Sequence, residues 1–158
     1  MSTRTENPTA RPAVAGVKGA RILIVESRYY ADIADALIEG AEREIAKNGA
    51  KSERLVVPGA FEIPGAVAMA AAKKGKRYDG YVALGCVLAD TRIAGTLYEE
   101  TVRALMQLGA TGLAIGNGSV LAADEGAALD QAQTMDIGGD AARAGISLVT
   151  LAQRLGTP

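Results

Sequence analysis

The sequence predicts an α/β protein, a three-layer sandwich in which a four-stranded parallel sheet lies between two layers of helices. Short apolar runs alternate with longer stretches of helical periodicity along the chain, and this alternation is typical of parallel sheets covered on both faces by right-handed crossovers. The 158 residues suffice for one domain with a buried core. Because the chain has one Phe and no Trp, that core is expected to be aliphatic.

The first half of the chain predicts three strands and two helices in alternation. The short apolar runs at 21–25 and 55–57 are typical of buried strands. Between them, Ile33, Leu37 and Ala41 recur every four residues, which predicts one face of an amphipathic helix that ends at Asn48 and Gly49. The second helix is Ala-rich and has cations at its end, which suits the helix dipole. The predicted strands are 21–25, 55–57 and 81–84, and the predicted helices are 31–48 and 63–74.

The second half predicts a helix, a last strand and two more helices. The run 112–115 is predicted as a strand, and Gly116-Asn117-Gly118 as the turn that ends it. Residues 1–19 lack periodicity and are predicted to be a flexible N-terminal arm, whereas 20–158 form a single domain. The predicted helices are 93–108, 122–134 and 140–155.

Composition excludes several classes of function. A net charge of −1 without a Lys/Arg cluster argues against nucleic-acid binding, and no apolar stretch approaches the roughly 20 residues needed to span a membrane. The single cysteine rules out an internal disulfide and indicates a reducing, cytoplasmic location. Because the chain has no histidine, it lacks the usual general base at neutral pH, and a metal site is not expected.

Ligands of parallel sheets bind beyond the carboxyl ends of the strands, so four segments are candidates for the site. They are 26–30, 58–64, 85–92 and 116–119. In the first, the rings of Tyr29 and Tyr30 could stack on a flat heterocycle; they could equally cap the sheet or fill a subunit contact. The second is predicted to be a rigid corner between a strand and a helix, in which Glu62 stabilises the first turn of the helix through the dipole.

Several of these motifs together resemble the lumazine synthase family, whose fold is flavodoxin-like. The resemblance extends from Arg21 to Leu155, and it implies condensation of a ribitylamino-pyrimidinedione with a four-carbon ketose phosphate to 6,7-dimethyl-8-ribityllumazine. It implies no metal and no organic cofactor. It also implies a homo-oligomer, a pentamer that can assemble further, with a pyrimidine or lumazine bound between subunits. The motifs are Ser27–Tyr30, Pro58–Pro64, Tyr78–Leu88, Arg103–Met106, Leu113–Gly118 and Gly138–Ala144.

The resemblance assigns roles to particular residues of this chain. Tyr29 would stack on the pyrimidine ring, and Glu62 would accept hydrogen bonds from ribityl hydroxyl groups. Asn117 would approach the ring from a neighbouring subunit. The implied substrate-binding residues are Tyr29, Ala60, Phe61, Glu62, Cys86, Val87, Leu88 and Asn117.

The chain departs from the family in two windows, 89–102 and 119–137. In an ungapped match, Ala94 stands at the position of the family's proton-shuttling histidine and Asp90 at a glycine of the phosphate loop, so no catalytic residue is assigned. Thr91 and Arg92 are the remaining candidates for phosphate binding. No Lys or Arg occurs between Arg103 and Arg143 to replace the family's phosphate-binding arginine.

Three hypotheses follow from these departures. The first is a lumazine synthase with weakened or lost catalysis. The second is a self-assembling scaffold, natural or engineered, in which apolar replacements such as Ile93 and Ala94 serve subunit contacts. The third is a module that binds a flavin or a lumazine through the aromatic half of the site alone.

Overall fold

The computed structural model describes residues 12–14, 16–75 and 77–156. In these residues four parallel strands form one sheet, and the fold class predicted from the sequence is confirmed. The strands are β1 (Arg21–Ser27), β2 (Lys51–Val57), β3 (Gly80–Leu88) and β4 (Ile115–Ala122). Their order across the sheet is β2-β1-β3-β4, so β2 and β4 form the two edges.

In the described part of the chain, five helices cover the sheet. The helices are α1 (Ala31–Lys47), α2 (Ile63–Ala71), α3 (Ala94–Ala110), α4 (Glu125–Gln133) and α5 (Ile137–Arg154). The first, fourth and fifth pack on one face, where the largest cluster of buried residues lies, and α2 and α3 pack on the other. A 3-10 turn, Ala60–Glu62, precedes α2. We call the face covered by α1, α4 and α5 the α5 face, and the face covered by α2 and α3 the α3 face.

The predicted bounds of the fourth strand, 112–115, were wrong at both ends, since β4 runs from Ile115 to Ala122. Gly116 and Gly118 lie inside β4 and not in a turn that follows it. The physical reason is close packing, since a Cβ on Gly116 would lie 1.7 Å from the carbonyl oxygen of Ala141 in α5. A Cβ on Gly118 would lie 2.5 Å from the side chain of Leu84. Glycine in this strand therefore marks the approach of another backbone.

Other boundaries moved by a few residues for local reasons. The third strand continues through Gly85 to Leu88, because the missing side chain of Gly85 leaves room for Ile63. The second strand begins at Lys51, four residues before its apolar run, because its polar part lies on the exposed edge of the sheet. Helix α4 begins later than predicted, where the Asp124 carboxylate accepts the backbone N–H of Ala127 at 2.8 Å.

The N-terminal residues that the structure describes lie against the α5 face. Val17 is buried in the main cluster, and the backbone N–H of Gly19 donates to the carbonyl of Gly49 at 2.8 Å. Arg143 of α5 donates to the carbonyl oxygen of Pro12 at 2.7 Å. Residues 1–11 and 15 of the predicted arm lie outside the described residues, so the boundary between arm and domain stays a prediction.

The strand order creates a crevice at one end of the sheet. After β1 the chain turns to the α5 face, whereas after β3 it turns to the α3 face. Because β1 and β3 are neighbours, their following loops separate above the sheet, as at the switch points of other parallel sheets. The candidate site lies here. Within the described residues, no helix is both long and apolar enough to cross a membrane.

Candidate functional site

A cavity of about 290 Å³ lies above the carboxyl ends of β1, β2 and β3. It gathers residues from three of the segments that the sequence singled out. The members of the predicted site that line it are Tyr29, Ala60, Phe61, Cys86, Val87, Leu88, Thr91 and Ala94. We call it the ring cavity. Its size suits a small molecule.

Aromatic side chains form the outer wall of the ring cavity. The rings of Tyr29 and Tyr30 meet edge to face, with centroids 5.0 Å apart and an interplanar angle of 73°. Tyr29 is 76% exposed and Phe61 is 74% exposed, so both present open ring faces. Exposed aromatic rings beside a cavity are suited to stacking on a heterocycle.

The inner wall is apolar and packed. Ala60, Val87 and Ala94 are buried together in a small cluster of their own, and Leu88 is buried on the opposite face of β3. Burial, and secondly the charge of Glu125, raises the pKa of the Cys86 thiol to about 11. The thiol is therefore protonated near neutral pH and is a poor nucleophile.

The loop after β3 supplies the polar part of the lining. Asp90 and Thr91 both line the ring cavity and are exposed. The pKa of the Tyr30 hydroxyl is raised, first by burial and then by the charge of Asp90. The Asp90 carboxylate thus acts on the aromatic wall of the ring cavity. The chain contains no histidine, and Ala94 offers only a methyl group at the position where the family resemblance implied one.

Three residues of the predicted site lie apart from the ring cavity. Glu62 lines a separate cavity of about 560 Å³ between β2 and α2, together with Arg54 and Lys73. Asn117 lines a third cavity of about 120 Å³ between β4 and α3. Arg92 belongs to the same loop as Thr91, but its side chain is not part of the ring cavity's lining. Within one subunit the expected residues are therefore distributed over several places.

Some residues of the site were not assigned from the sequence. Ile93 and Leu97 line the ring cavity, and their four-residue spacing across the start of α3 could have indicated a shared face.

Glu26 is only 1% exposed, and its Oε1 accepts hydrogen bonds from Arg54 at 2.8 Å and Arg28 at 3.3 Å. Nothing local in the sequence indicates this cluster, because Arg54 comes from the neighbouring strand.

The arrangement can hold a flat ring but has few groups for proton transfer. Among the described residues that line the ring cavity, the ionisable side chains are Tyr29, Tyr30, Cys86 and Asp90. General acid–base catalysis works best with a group that titrates near the working pH, and histidine, the usual group of this kind, is absent.

Comparison with known proteins agrees with the fold and the motifs. A protein-family model described as 6,7-dimethyl-8-ribityllumazine synthase matches residues 19–153. The 6,7-dimethyl-8-ribityllumazine synthase of Afipia carboxidovorans is 44% identical over 149 residues, which cover 90% of this chain and 91% of that protein. The 6,7-dimethyl-8-ribityllumazine synthase 1 of Rhizobium meliloti is 43% identical over 150 residues, which cover 90% of this chain and 98% of that protein. The 6,7-dimethyl-8-ribityllumazine synthase of Erythrobacter litoralis is 41% identical over 140 residues, which cover 87% of this chain and 99% of that protein.

Proposed function

This chain belongs to the 6,7-dimethyl-8-ribityllumazine synthase family, and we propose that it binds the ribitylamino-pyrimidinedione between Tyr29 and Phe61 but condenses it only slowly with the four-carbon ketose phosphate. One observation carries this proposal. The ring cavity keeps exposed aromatic walls, while Ala94 stands where the family resemblance implies a histidine.

The expected loss of rate follows from the missing groups. Removing a positioned general acid or base costs roughly 10²–10⁴-fold in rate. The family resemblance also places a neutral Gln131 at the position of the phosphate-binding arginine. This replacement would remove a bidentate contact to phosphate, which is among the strongest contacts that a protein makes with this group. Binding of the ring does not depend on either group, so we expect it to persist.

A lumazine-forming assay with both substrates tests the proposal. Absorbance is followed over time and corrected for the spontaneous reaction. We expect a small enhancement over background that Tyr29→Ala removes, because that variant deletes the stacking ring. Leu151→Ala, a change at an exposed position of α5 outside the cavities that Tyr29, Glu62 and Asn117 line, is the control and should leave the rate unchanged. A rate that Tyr29→Ala does not alter would contradict the assigned site.

We propose further that the chain assembles as a homopentamer with sites between subunits. Two features support this. Asn117 and Tyr29 of one subunit line separate cavities. A single ligand can therefore contact both residues only if one of them comes from a neighbouring subunit. In addition, apolar side chains such as Met69 and Met106 are exposed on the α3 face. Light scattering coupled to size exclusion measures the mass, and a monomer would contradict the proposal.

A scaffold without catalysis is a second candidate. The exposed side chain of Ile93 favours it, because this residue lies in the first unusual window and is 68% exposed beside the ring cavity. An apolar side chain in that position suits a contact between subunits better than a phosphate loop. A pentamer that shows no rate above background and no ring binding would support this candidate, whereas ring binding without rate would support a pure binding module.

A further inference from the structure

Asp90 is the one carboxylate among the described residues that line the ring cavity. It lies in the loop between β3 and α3, and hydrogen bonds fix this loop at both ends. The backbone N–H of Ala89 donates to the carbonyl oxygen of Ala122 at 2.8 Å, and that of Ala94 donates to the carbonyl oxygen of Thr91 at 3.3 Å. The loop therefore holds Asp90 beside the cavity from two sides.

The other ionisable side chains of the described lining are poor proton acceptors near neutral pH. They are Tyr29, Tyr30 and Cys86. Burial raises the pKa of the Tyr30 hydroxyl, and burial raises the pKa of the Cys86 thiol to about 11. Phenols and buried thiols keep their own protons at neutral pH, whereas an ionised carboxylate has only acceptor oxygens.

No cation occupies the Asp90 carboxylate within the cavity lining. Among the described residues of this lining there is no Lys or Arg. Arg28 is near the cavity in sequence, but its guanidinium donates to Asp35 and to Glu26. Arg92 belongs to the same loop as Asp90 without contributing to the lining. The carboxylate oxygens therefore remain free to accept a proton from a ligand.

Two further carboxylates lie on the other side of the aromatic wall. Asp32 and Glu125 line a neighbouring cavity of about 230 Å³, which shares Tyr29 and Tyr30 with the ring cavity. The tyrosines separate these two groups from the space between Tyr29 and Phe61. Asp90 lines that space directly, together with Ala94, the position at which the family resemblance implies a histidine.

The condensation of an amine with a ketone needs a group that moves protons from nitrogen to oxygen. The amine nitrogen attacks the ketone carbon, an N–C bond forms, and the electron pair of the C=O bond moves to the oxygen. Nitrogen then gives up two protons, one before and one during formation of the C=N bond. The oxygen receives both and leaves as water, so a carboxylate that carries each proton across ends the sequence unchanged.

We propose that the Asp90 carboxylate carries these protons from the amine nitrogen to the departing oxygen, in place of the histidine that this chain lacks. This inference rests on the proposed function, which places the pyrimidinedione between Tyr29 and Phe61. It deepens that function because it assigns the group responsible for the slow condensation. The carboxylate comes from the loop before α3 and not from the first residue of α3, where Ala94 has only a methyl group.

Substitutions of Asp90 test this assignment in the lumazine-forming assay. Asp90→Asn keeps the shape of the side chain and removes the proton acceptor, so kcat above the spontaneous background should fall at least about tenfold. The KM for the pyrimidinedione should stay the same, because the stacking rings are untouched. Asp90→Glu keeps a carboxylate and should retain more of the rate than Asp90→Asn. Glu39→Gln is the control, since Glu39 is exposed on α1 and outside the cavity lining; it should leave kcat unchanged.

Chemical rescue distinguishes proton transfer from a structural role. Asp90→Ala removes the side chain, and added formate supplies a small carboxylate that fits the vacated space. We expect formate to raise the rate of Asp90→Ala at least about threefold and to leave the unsubstituted chain unaffected. Chloride at the same ionic strength is the matched salt and should rescue neither.

The outcomes separate this inference from the proposed function. If Asp90→Asn keeps the full rate while Tyr29→Ala loses it, the ring site stands and the role of Asp90 is overturned. A rate that falls in Asp90→Asn but is neither retained by Asp90→Glu nor rescued by formate would also overturn it, because the residue would then act through structure alone. If the unsubstituted chain shows no rate above background, the slow condensation and this inference are overturned together.

Discussion

The two faces of the sheet are completed in different ways. On the α5 face, backbones of neighbouring elements approach so closely that glycine is the only residue that fits, as at Gly116 against Ala141. On the α3 face, Met69 and Met106 remain exposed and three cavities open to the surface. The contacts of α5 with the sheet and with α1 are closed by the chain itself, whereas the α3 face leaves apolar area around Met69 and Met106 for another surface to cover.

This difference indicates where stability and assembly reside. A face packed through backbone contacts tolerates little change in volume, because neither partner can move without displacing a whole element. An exposed face tolerates substitution within the subunit, and its side chains affect only what binds to it. Substitutions on the two faces should therefore separate folding from assembly.

The largest effect is expected from Gly138→Ala. A Cβ at this position would lie 2.0 Å from the carbonyl oxygen of Leu37, so α5 would have to move away from α1. We expect the free energy of unfolding to fall by at least about 3 kcal/mol, measured by urea denaturation. Gly65→Ala is the matched control in α2, since a Cβ there meets nothing within 4 Å. The free energy of unfolding of this control variant should rise by up to about 1 kcal/mol. Equal losses in both variants would contradict the comparison.

A smaller effect is expected from Glu26→Gln. Glu26 is buried beside two arginines, and the amide keeps its shape while removing the charge that both hydrogen bonds use. We expect the free energy of unfolding to fall by about 2 kcal/mol, measured by urea denaturation. Glu53→Gln is the control on the exposed edge, where the carboxylate also meets two arginines, Arg21 and Arg77. Its loss in the free energy of unfolding should be clearly smaller than that of Glu26→Gln, because solvent screens these pairs. A larger loss at Glu53 would reverse our ranking.

A third effect depends on pH and concerns Cys86. Its pKa is raised from 9.0 to about 11 by burial first, so the fold favours the neutral thiol. This contribution to stability is complete below pH 9 and is lost as the pH rises from 9 towards 11. At pH 8 we expect iodoacetamide to alkylate the folded chain about a hundredfold more slowly than the urea-unfolded chain. Similar rates for the two states would show that the thiol is not protected.

The smallest effect on folding is expected from Met106→Glu on the α3 face. This side chain is 70% exposed, so the free energy of unfolding of the subunit should change by less than about 0.5 kcal/mol. Assembly should weaken, because a charge would enter the apolar surface. Gln107→Glu adds the same charge at the next exposed position of α3 and is the control. If the masses measured by light scattering stay the same for both variants, this face takes no part in assembly.

Much of the ring cavity could be predicted from the sequence. The apolar runs predicted as strands are each followed closely by one of three lining residues, Tyr29, Phe61 and Cys86. Because the carboxyl ends of parallel strands meet at one edge of a sheet, the proximity of these residues follows from local patterns. The same argument failed for the segment 116–119, which lies inside β4. There the glycines reflect contact with α5, which is distant in sequence and leaves no local signal.

The sequence by itself determined the order of helices and strands, the aliphatic core and the absence of histidine, because these depend on composition and on the spacing of apolar residues. The tertiary structure decided what surrounds each polar group. It placed Glu125 near Cys86 and Tyr30, paired Arg54 with Glu26, and put Glu62 in a cavity apart from Phe61. Charge interactions act through space between residues of different elements, and only the packing of the whole chain sets those distances.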